Sequence, residues 1–273
     1  IRDRYENGEN AVDVKPMQNV VISENIMYGF DGNSGDPGSA IVVHNEPTNT
    51  WVINNIIYNA VKGVMVSDGN DVFVIGNVFY NISDALEFWA DNEIHFISNT
   101  VFGMEYGVRD LGVNTNPHPI VNNIFTNITG SGYHIQLNAA DNSLMQNNLI
   151  YEPDGTFRVR WRGTTYTSLE SFQSSIGKGE GCLVDNPQFV NPAAGNFRLQ
   201  SGSPAIDNGT SIDYYTDLFA SRFGVDIAKD IDGNPRPLGS AWDIGAYEYT
   251  LLPFAIIQNE PKQGYAPPVS YTH

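Results

Sequence analysis

Eight side chains with chemical potential recur near one point of a repeated short strand: Asp13, Lys15, His44, Ser67, Glu87, Trp89, Arg109 and His134. Strict alternation of in and out along a strand separates them from the apolar residues beside them. In "AVDVK", Val12 and Val14 turn inward and leave Asp13 and Lys15 outside. "IVVHN" leaves His44 outside, "GVMVS" leaves Met65 and Ser67, "ALEFW" leaves Glu87 and Trp89, "GVRDL" leaves Arg109, and "YHIQL" leaves His134 and Gln136. An aromatic plane can stack on a sugar ring, hydroxyl and amide groups can bond its hydroxyls, and cations can meet carboxylates or sulfates. Singly, each residue is ordinary surface; gathered on one wall, they suit an acidic polysaccharide.

Such a wall needs strands stacked in register, and a repeat supplies them. "SENIMYG" (23–29), "INNIIYN" (53–59), "IGNVFYN" (75–81), "ISNTVFG" (97–103), "VNNIFTN" (121–127) and "QNNLIYE" (146–152) align on Asn25, Asn55, Asn77, Asn99, Asn123 and Asn148. The spacing of 22 to 30 residues is too short for paired-helix repeats, and leucines do not recur at fixed offsets. One coil per unit, with a turn asparagine stacking on its neighbour's, predicts an all-β chain: a right-handed single-stranded parallel β-helix, or solenoid. An irregular C-terminal capping region containing a short helix is expected to follow. The longest interval holds the Gly/Asp/Pro segment "GFDGNSGDPGSA" (29–40), expected to protrude at one edge.

The rhythm is read as far as Tyr151, which divides the chain into coils over 1–152, last coils and a capping segment over 153–250, and a Pro-rich extended tail over 251–273. "SLESFQSSIGKGEG" (168–181) reads as a short amphipathic helix. Phe189, Phe197, Ile206 and Tyr247 are expected to cover the last coil, and Asp207, Asp230, Arg236 and Asp243 to hold loops together.

Fourteen Lys and Arg against 31 Asp and Glu give a net charge of -17, which argues against nucleic acid or an anionic membrane as partner. A local cationic groove on an acidic body remains compatible with a polyanionic sugar. Cys182 is the single cysteine, so no internal disulfide forms, and no apolar run approaches the length of a membrane span. The absence of a leader pattern suggests a mature or excised chain, and the lack of a recognisable cap before the first coil suggests a monomer or the C-terminal part of something longer.

Two stretches resemble known proteins. "NPQFVNPAAGNFRLQSGSPAIDNGT" and "DIDGNPRPLGSAWDIGAYEY" resemble a segment at the C-terminal end of many secreted bacterial β-helix proteins, which implies a secreted or cell-surface location. "GENAVDVKPMQNVVISEN" (8–25) resembles the lysine-bearing coil of β-helix polysaccharide lyases of the pectate-lyase-like superfamily, both the chondroitinase-B and alginate-lyase type and the lysine-base pectate lyases. By that resemblance Lys15 is the base, with His44 beside it where the family carries an arginine, and Glu9, Asn10 or Asp13 hold Ca²⁺. β-Elimination, or epimerisation, removes the proton α to a uronate carboxylate, which is feasible once a cation neutralises that carboxylate.

Other classes stay open. A glycosidase would need paired carboxylates, for which Asp84 and Glu87 are candidates. A non-catalytic carbohydrate-binding or structural segment of a larger surface protein is the alternative from outside enzymology.

Overall fold

The asparagine repeat is a column of stacked amides. In a computed structural model, which describes residues 10–30, 32, 38–89, 93–112, 116–138 and 143–251, the backbone N–H and side-chain Nδ2 of each repeat asparagine donate to Oδ1 of the next. The distances are 2.8–3.1 Å from Asn25 through to Asn148. Each Nδ2 from Asn55 on also reaches a carbonyl of the preceding turn: Ile22, Val52, Val74, Phe96 and Ile120. Buried amides that satisfy one another fix the register of successive turns, because slipping one turn would strand several polar groups.

The residue before each asparagine makes the bend. Glu24, Asn54, Gly76, Ser98, Asn122 and Asn147 are left-handed, with φ between 48° and 68°, so the asparagine itself stays extended and points its amide along the column. The column also has a seventh member. Asn148 N donates to Cys182 Sγ at 3.4 Å, Gly181 supplies the left-handed bend, and Leu149 pairs with Leu183. The repeat therefore continues past Tyr151 after a 34-residue interval, hidden because a thiol stands in for the amide. Burial pushes that thiol up to about 11.

The strands wind into a parallel β-solenoid with three sheet faces. The first face runs through Asn10–Val14, Ser39–Val43, the second halves of Ile56–Val66, Val78–Phe88 and Thr100–Asp110, then Tyr133–Leu137 and Val159–Trp161. The second holds Gln18–Ser23, Thr48–Ile53, Asn70–Ile75, Ile94–Ile97, Ile120–Val121 and Met145–Gln146. The third holds Ile26–Phe30, the first halves of the three long strands, Ile124–Thr126 and Leu149–Tyr151. Left-handed Asn59, Asn81 and Gly103 turn each long strand from the third face to the first. Val14, Ile41, Val64, Leu86, Val108, Ile135 and Val159 point from the first face into a continuous apolar interior.

α1 (Leu169–Ile176) closes the C-terminal end. The Ser168 hydroxyl accepts from Ser171 N at 3.1 Å, left-handed Gly177 ends the helix, and Phe172 is fully buried against Trp161 and Tyr166. The chain beyond it does not cover the last coil as expected. Phe189, Phe197 and Tyr247 lie instead against outward residues of the third face, Val78, Ile124 and Leu149, with Ile206 partly buried at the margin. α2 (Asp213–Phe223), which the sequence reading missed, seats Phe219 edge-on to Trp51 at 5.0 Å on the second face. Those two faces carry large apolar side chains outward, and folding the C-terminal arm back along them removes that surface from water. Loop-holding roles match expectation: Asp207, Asp230 and Asp243 accept backbone N–H groups, and Arg236 donates to Gly245 O at 2.7 Å.

Residues 31 and 33–37 of the 29–40 segment and the tail from 252 on lie outside the described residues. Among the described residues, no helix is long and apolar enough to cross a membrane.

Candidate functional site

Among the described residues, the two apolar clusters that the C-terminal arm builds include none of the first face's outward residues. Strand pairing sorts those residues into three columns. One runs Asp13, Val42, Met65, Glu87, Arg109, Gln136 and Arg160. Another runs Asn10, Ser39, Lys62, Asp84, Tyr106 and Tyr133. At the strand ends, backbone bonds place Lys15, His44, Ser67 and Trp89 in the third.

Lys62 and the two tyrosines escape the sequence reading because alternation breaks there, and Asp84, which the sequence offers only as half of a carboxylate pair, stands in their column. Two consecutive inward residues separate the columns: Gly63 with Val64, Ala85 with Leu86, Gly107 with Val108, and His134 with Ile135. An added Cβ at Gly63 or Gly107 would strike the Phe79 or Phe125 ring, so that position faces the interior. The same slip overturns His134. It is fully buried and points inward, with Nε2 3.0 Å from Glu152 Oε1 and Nδ1 accepting from Arg158 N at 3.2 Å. His134 is a core residue and binds no ligand from this face.

At the centre of the face lies a four-charge cluster. Lys62 Nζ donates to Glu87 Oε1, and Arg109 Nη1 reaches both Glu87 Oε2 at 3.2 Å and Asp84 Oδ1 at 3.4 Å. Ser83 Oγ donates to Asp84 Oδ2 at 2.9 Å. Burial pushes the Asp84 carboxyl above its ordinary range, and the Glu87 charge adds to this against the pull of Ser83 and Arg109. Glu87, expected to be exposed, does point outward but is only 2% exposed, because Lys62 and Arg109 lie over it. Aromatic rings rim the cluster. Trp89 is 40% exposed with Lys62 Nζ 5.1 Å from its ring, and the Arg109 guanidinium sits 4.2 Å from the Tyr106 ring.

Two turns away, Lys15 and His44 do come together, and Asp13 joins them. Asp13 Oδ2 lies 3.1 Å from Lys15 Nζ, and Oδ1 lies 2.5 Å from His44 Nε2. Burial works to raise the Asp13 carboxyl, but the bonds from Lys15 and His44 outweigh it and hold the group below its ordinary value. A carboxylate that grips an imidazole fixes its orientation, leaving the other ring nitrogen to take or give a proton. Ser67 is exposed beside His44 in the same column.

Glu9 lies outside the described residues, and Asn10 stands at the start of its strand beside Ser39. Both oxygens of Asp13 are engaged, one by Lys15 and the other by His44. Among the described residues, no three His, Cys, Asp or Glu converge as a cation would need. The described members of that set, Asn10 and Asp13, do not by themselves make a Ca²⁺ site.

No family model matches the chain, and no curated protein matches it.

Proposed function

We propose that the first face binds an acidic polysaccharide laid along the solenoid and that the Asp13–Lys15–His44 trio performs β-elimination or epimerisation on one of its uronates. The observation that carries this reading is the bridge of Asp13 between Lys15 and His44, on the sheet face that the described apolar clusters of the C-terminal arm do not reach. Roles differ from those the sequence suggests. Lys15 is 59% exposed and paired with a carboxylate, so its ammonium suits neutralising a uronate carboxylate. His44, oriented by Asp13, suits taking the proton α to that carboxylate. In elimination the electron pair left behind forms the ring double bond as the glycosidic oxygen β to the carboxylate departs. In epimerisation His44 keeps the abstracted proton on its own side and a solvent-derived proton is added to the opposite face of the same carbon. Adjacent turns lie about 4.8 Å apart, so one sugar can reach both residues. Arg109, four rungs from Lys15, is too distant for that sugar and serves a later one along the chain. The substrate of such a wall is a polymer met at or outside the cell surface.

The test is to incubate the chain with pectate, alginate and glycosaminoglycans, with and without Ca²⁺. Binding is measured alongside the ultraviolet absorbance of an unsaturated uronate and the C5 configuration by NMR. Binding with product, lost in His44→Ala, is expected. Binding without either product would leave a non-catalytic carbohydrate-binding wall, and no binding to any acidic polymer would end the proposal. Lys15→Ala separates the two base assignments. A variant that still turns over at saturating polymer with raised KM fits carboxylate binding, whereas complete loss of turnover with unchanged polymer binding would make Lys15 the base.

A further inference from the structure

The last strand of the first face carries a charge concentration that the trio and the central cluster do not use. "RVRWR" (158–162) alternates arginine with core residues: Val159 and Trp161 are buried in the interior, and Arg158 and Arg160 emerge on the outside. This occurs in a chain with 14 basic residues and a net charge of -17. Five of the described cations have a carboxylate beside them. Lys15 has Asp13, Lys62 has Glu87, Arg109 has Asp84 and Glu87, Arg198 has Asp232, and Arg236 has Glu248. Arg160 has none among the described residues, and its Nε is buried without an acceptor there. It is nonetheless held in place. Its guanidinium lies 6.0 Å from the Tyr133 ring, and the Tyr133 hydroxyl is 3.3 Å from Thr165 Oγ1 on the neighbouring strand. A half-buried guanidinium held in position without a counter-charge is built to receive an anion.

Register relates it to Arg109. Arg109 pairs with Gln136, and Gln136 pairs with Arg160, so the two guanidinium groups project from one column two rungs apart. Twice the interstrand spacing is about 9.6 Å, close to the length of two linked pyranoses. Between them in the same column stands Gln136, an uncharged amide.

Resting on the reading of this face as a polysaccharide wall, we propose that Arg160 and Tyr133 form a second anion subsite, in step with Arg109, that selects polymers bearing an acidic group on every second sugar. Arg109 takes one carboxylate or sulfate, Gln136 faces the neutral sugar, and Arg160 takes the next anion. A homopolymer of uronates places a carboxylate against the uncharged amide, whereas an alternating uronate–hexosamine polymer does not.

The experiment is calorimetric titration of the full chain at one fixed salt concentration. The probes are size-matched oligosaccharides of polygalacturonate, of an alternating uronate–N-acetylhexosamine polymer (hyaluronan and unsulfated chondroitin), and of a neutral β-glucan. Expected is tighter binding of the alternating polymer than of the homopolymer, by about tenfold for one well-placed charged contact. Arg160→Gln removes that preference, Arg160→Lys restores part of it, and Arg198→Gln, whose arginine sits on the C-terminal arm, leaves it unchanged. Equal or tighter binding of the homopolymer would overturn the subsite while leaving the wall intact. So would an alternating-polymer affinity unmoved by Arg160→Gln. Failure of both acidic polymers to bind better than the neutral one would remove the wall itself and the subsite with it. The wild-type comparison needs no variant to fold.

Discussion

Replacing Asn99 with alanine should cost far more than replacing Asn25, though both belong to one column. The Asn99 carbonyl oxygen accepts from Asn77 N at 2.9 Å and from Asn77 Nδ2 at 3.0 Å. Its own Nδ2 donates to Val74 O at 2.9 Å and to Asn123 Oδ1 at 3.1 Å. Alanine removes all four bonds and leaves the Asn77 N–H buried without its acceptor. One stranded buried donor costs about 1–3 kcal/mol, and the three remaining bonds contribute about 0.5–1.5 kcal/mol each. Neighbours share some of these bonds, so the expected loss is roughly 3–5 kcal/mol, a large part of the 5–15 kcal/mol that holds a typical domain together. Asn25, at the column's start, makes three side-chain or backbone bonds to Ser23 and Asn55 and is partly exposed, so water can replace part of what alanine removes. A loss of about 1 kcal/mol is expected there. Urea titration followed by circular dichroism measures both, and Asn99→Asp serves as control because it keeps the acceptor. Equal losses at the two positions would refute the idea that buried mutual satisfaction, rather than turn propensity, makes these asparagines necessary.

Acid should loosen the second face. Burial, followed by the His118 charge, holds His95 at about 3, far below its ordinary 6.5, where it stacks 4.4 Å from Phe73 under α2. A histidine kept neutral by folding contributes stability that is complete above about 6.5 and is lost as pH falls toward 3, by up to about 1.4 kcal/mol per pH unit. Unfolding free energies measured from pH 7 to 4 should therefore decline, and His95→Phe should flatten the decline; an unchanged slope counts against the assignment. In the central cluster, Lys62→Met should destabilise by about 3 kcal/mol, since it leaves Glu87 with Arg109 as its one cation, and adding Glu87→Gln should recover part of that loss. A double-mutant cycle showing no coupling would mean that the pair is only a surface contact.

The coil period, the asparagine column, the inward valines and leucines and α1 are all local patterns, and the sequence alone is enough to read them. Each is set by turn chemistry or by alternation over a few residues, such as the left-handed bend before each asparagine. α2 was also legible, from Tyr215, Phe219 and Phe223 at helical spacing ahead of Gly224, but it falls between the two stretches that resemble other chains and drew no reading of its own. Of the site, Asp13, Lys15, His44 and Trp89 lie where alternation puts them. His134 does not, and Lys62, Tyr106 and Tyr133 were missed, because two inward residues in succession shift the phase of each strand. That shift is dictated by rings packed inside the coil, such as Phe79 against Gly63, which lie far apart in sequence. Tertiary structure alone also decides which walls are covered. All three faces carry outward residues, and the path of the arm beyond Phe189, folding back over Val78, Ile124 and Trp51, covers two of them; among the described residues its apolar clusters do not reach the third. No periodicity records that path, because it depends on which exposed surfaces cost most to leave in water.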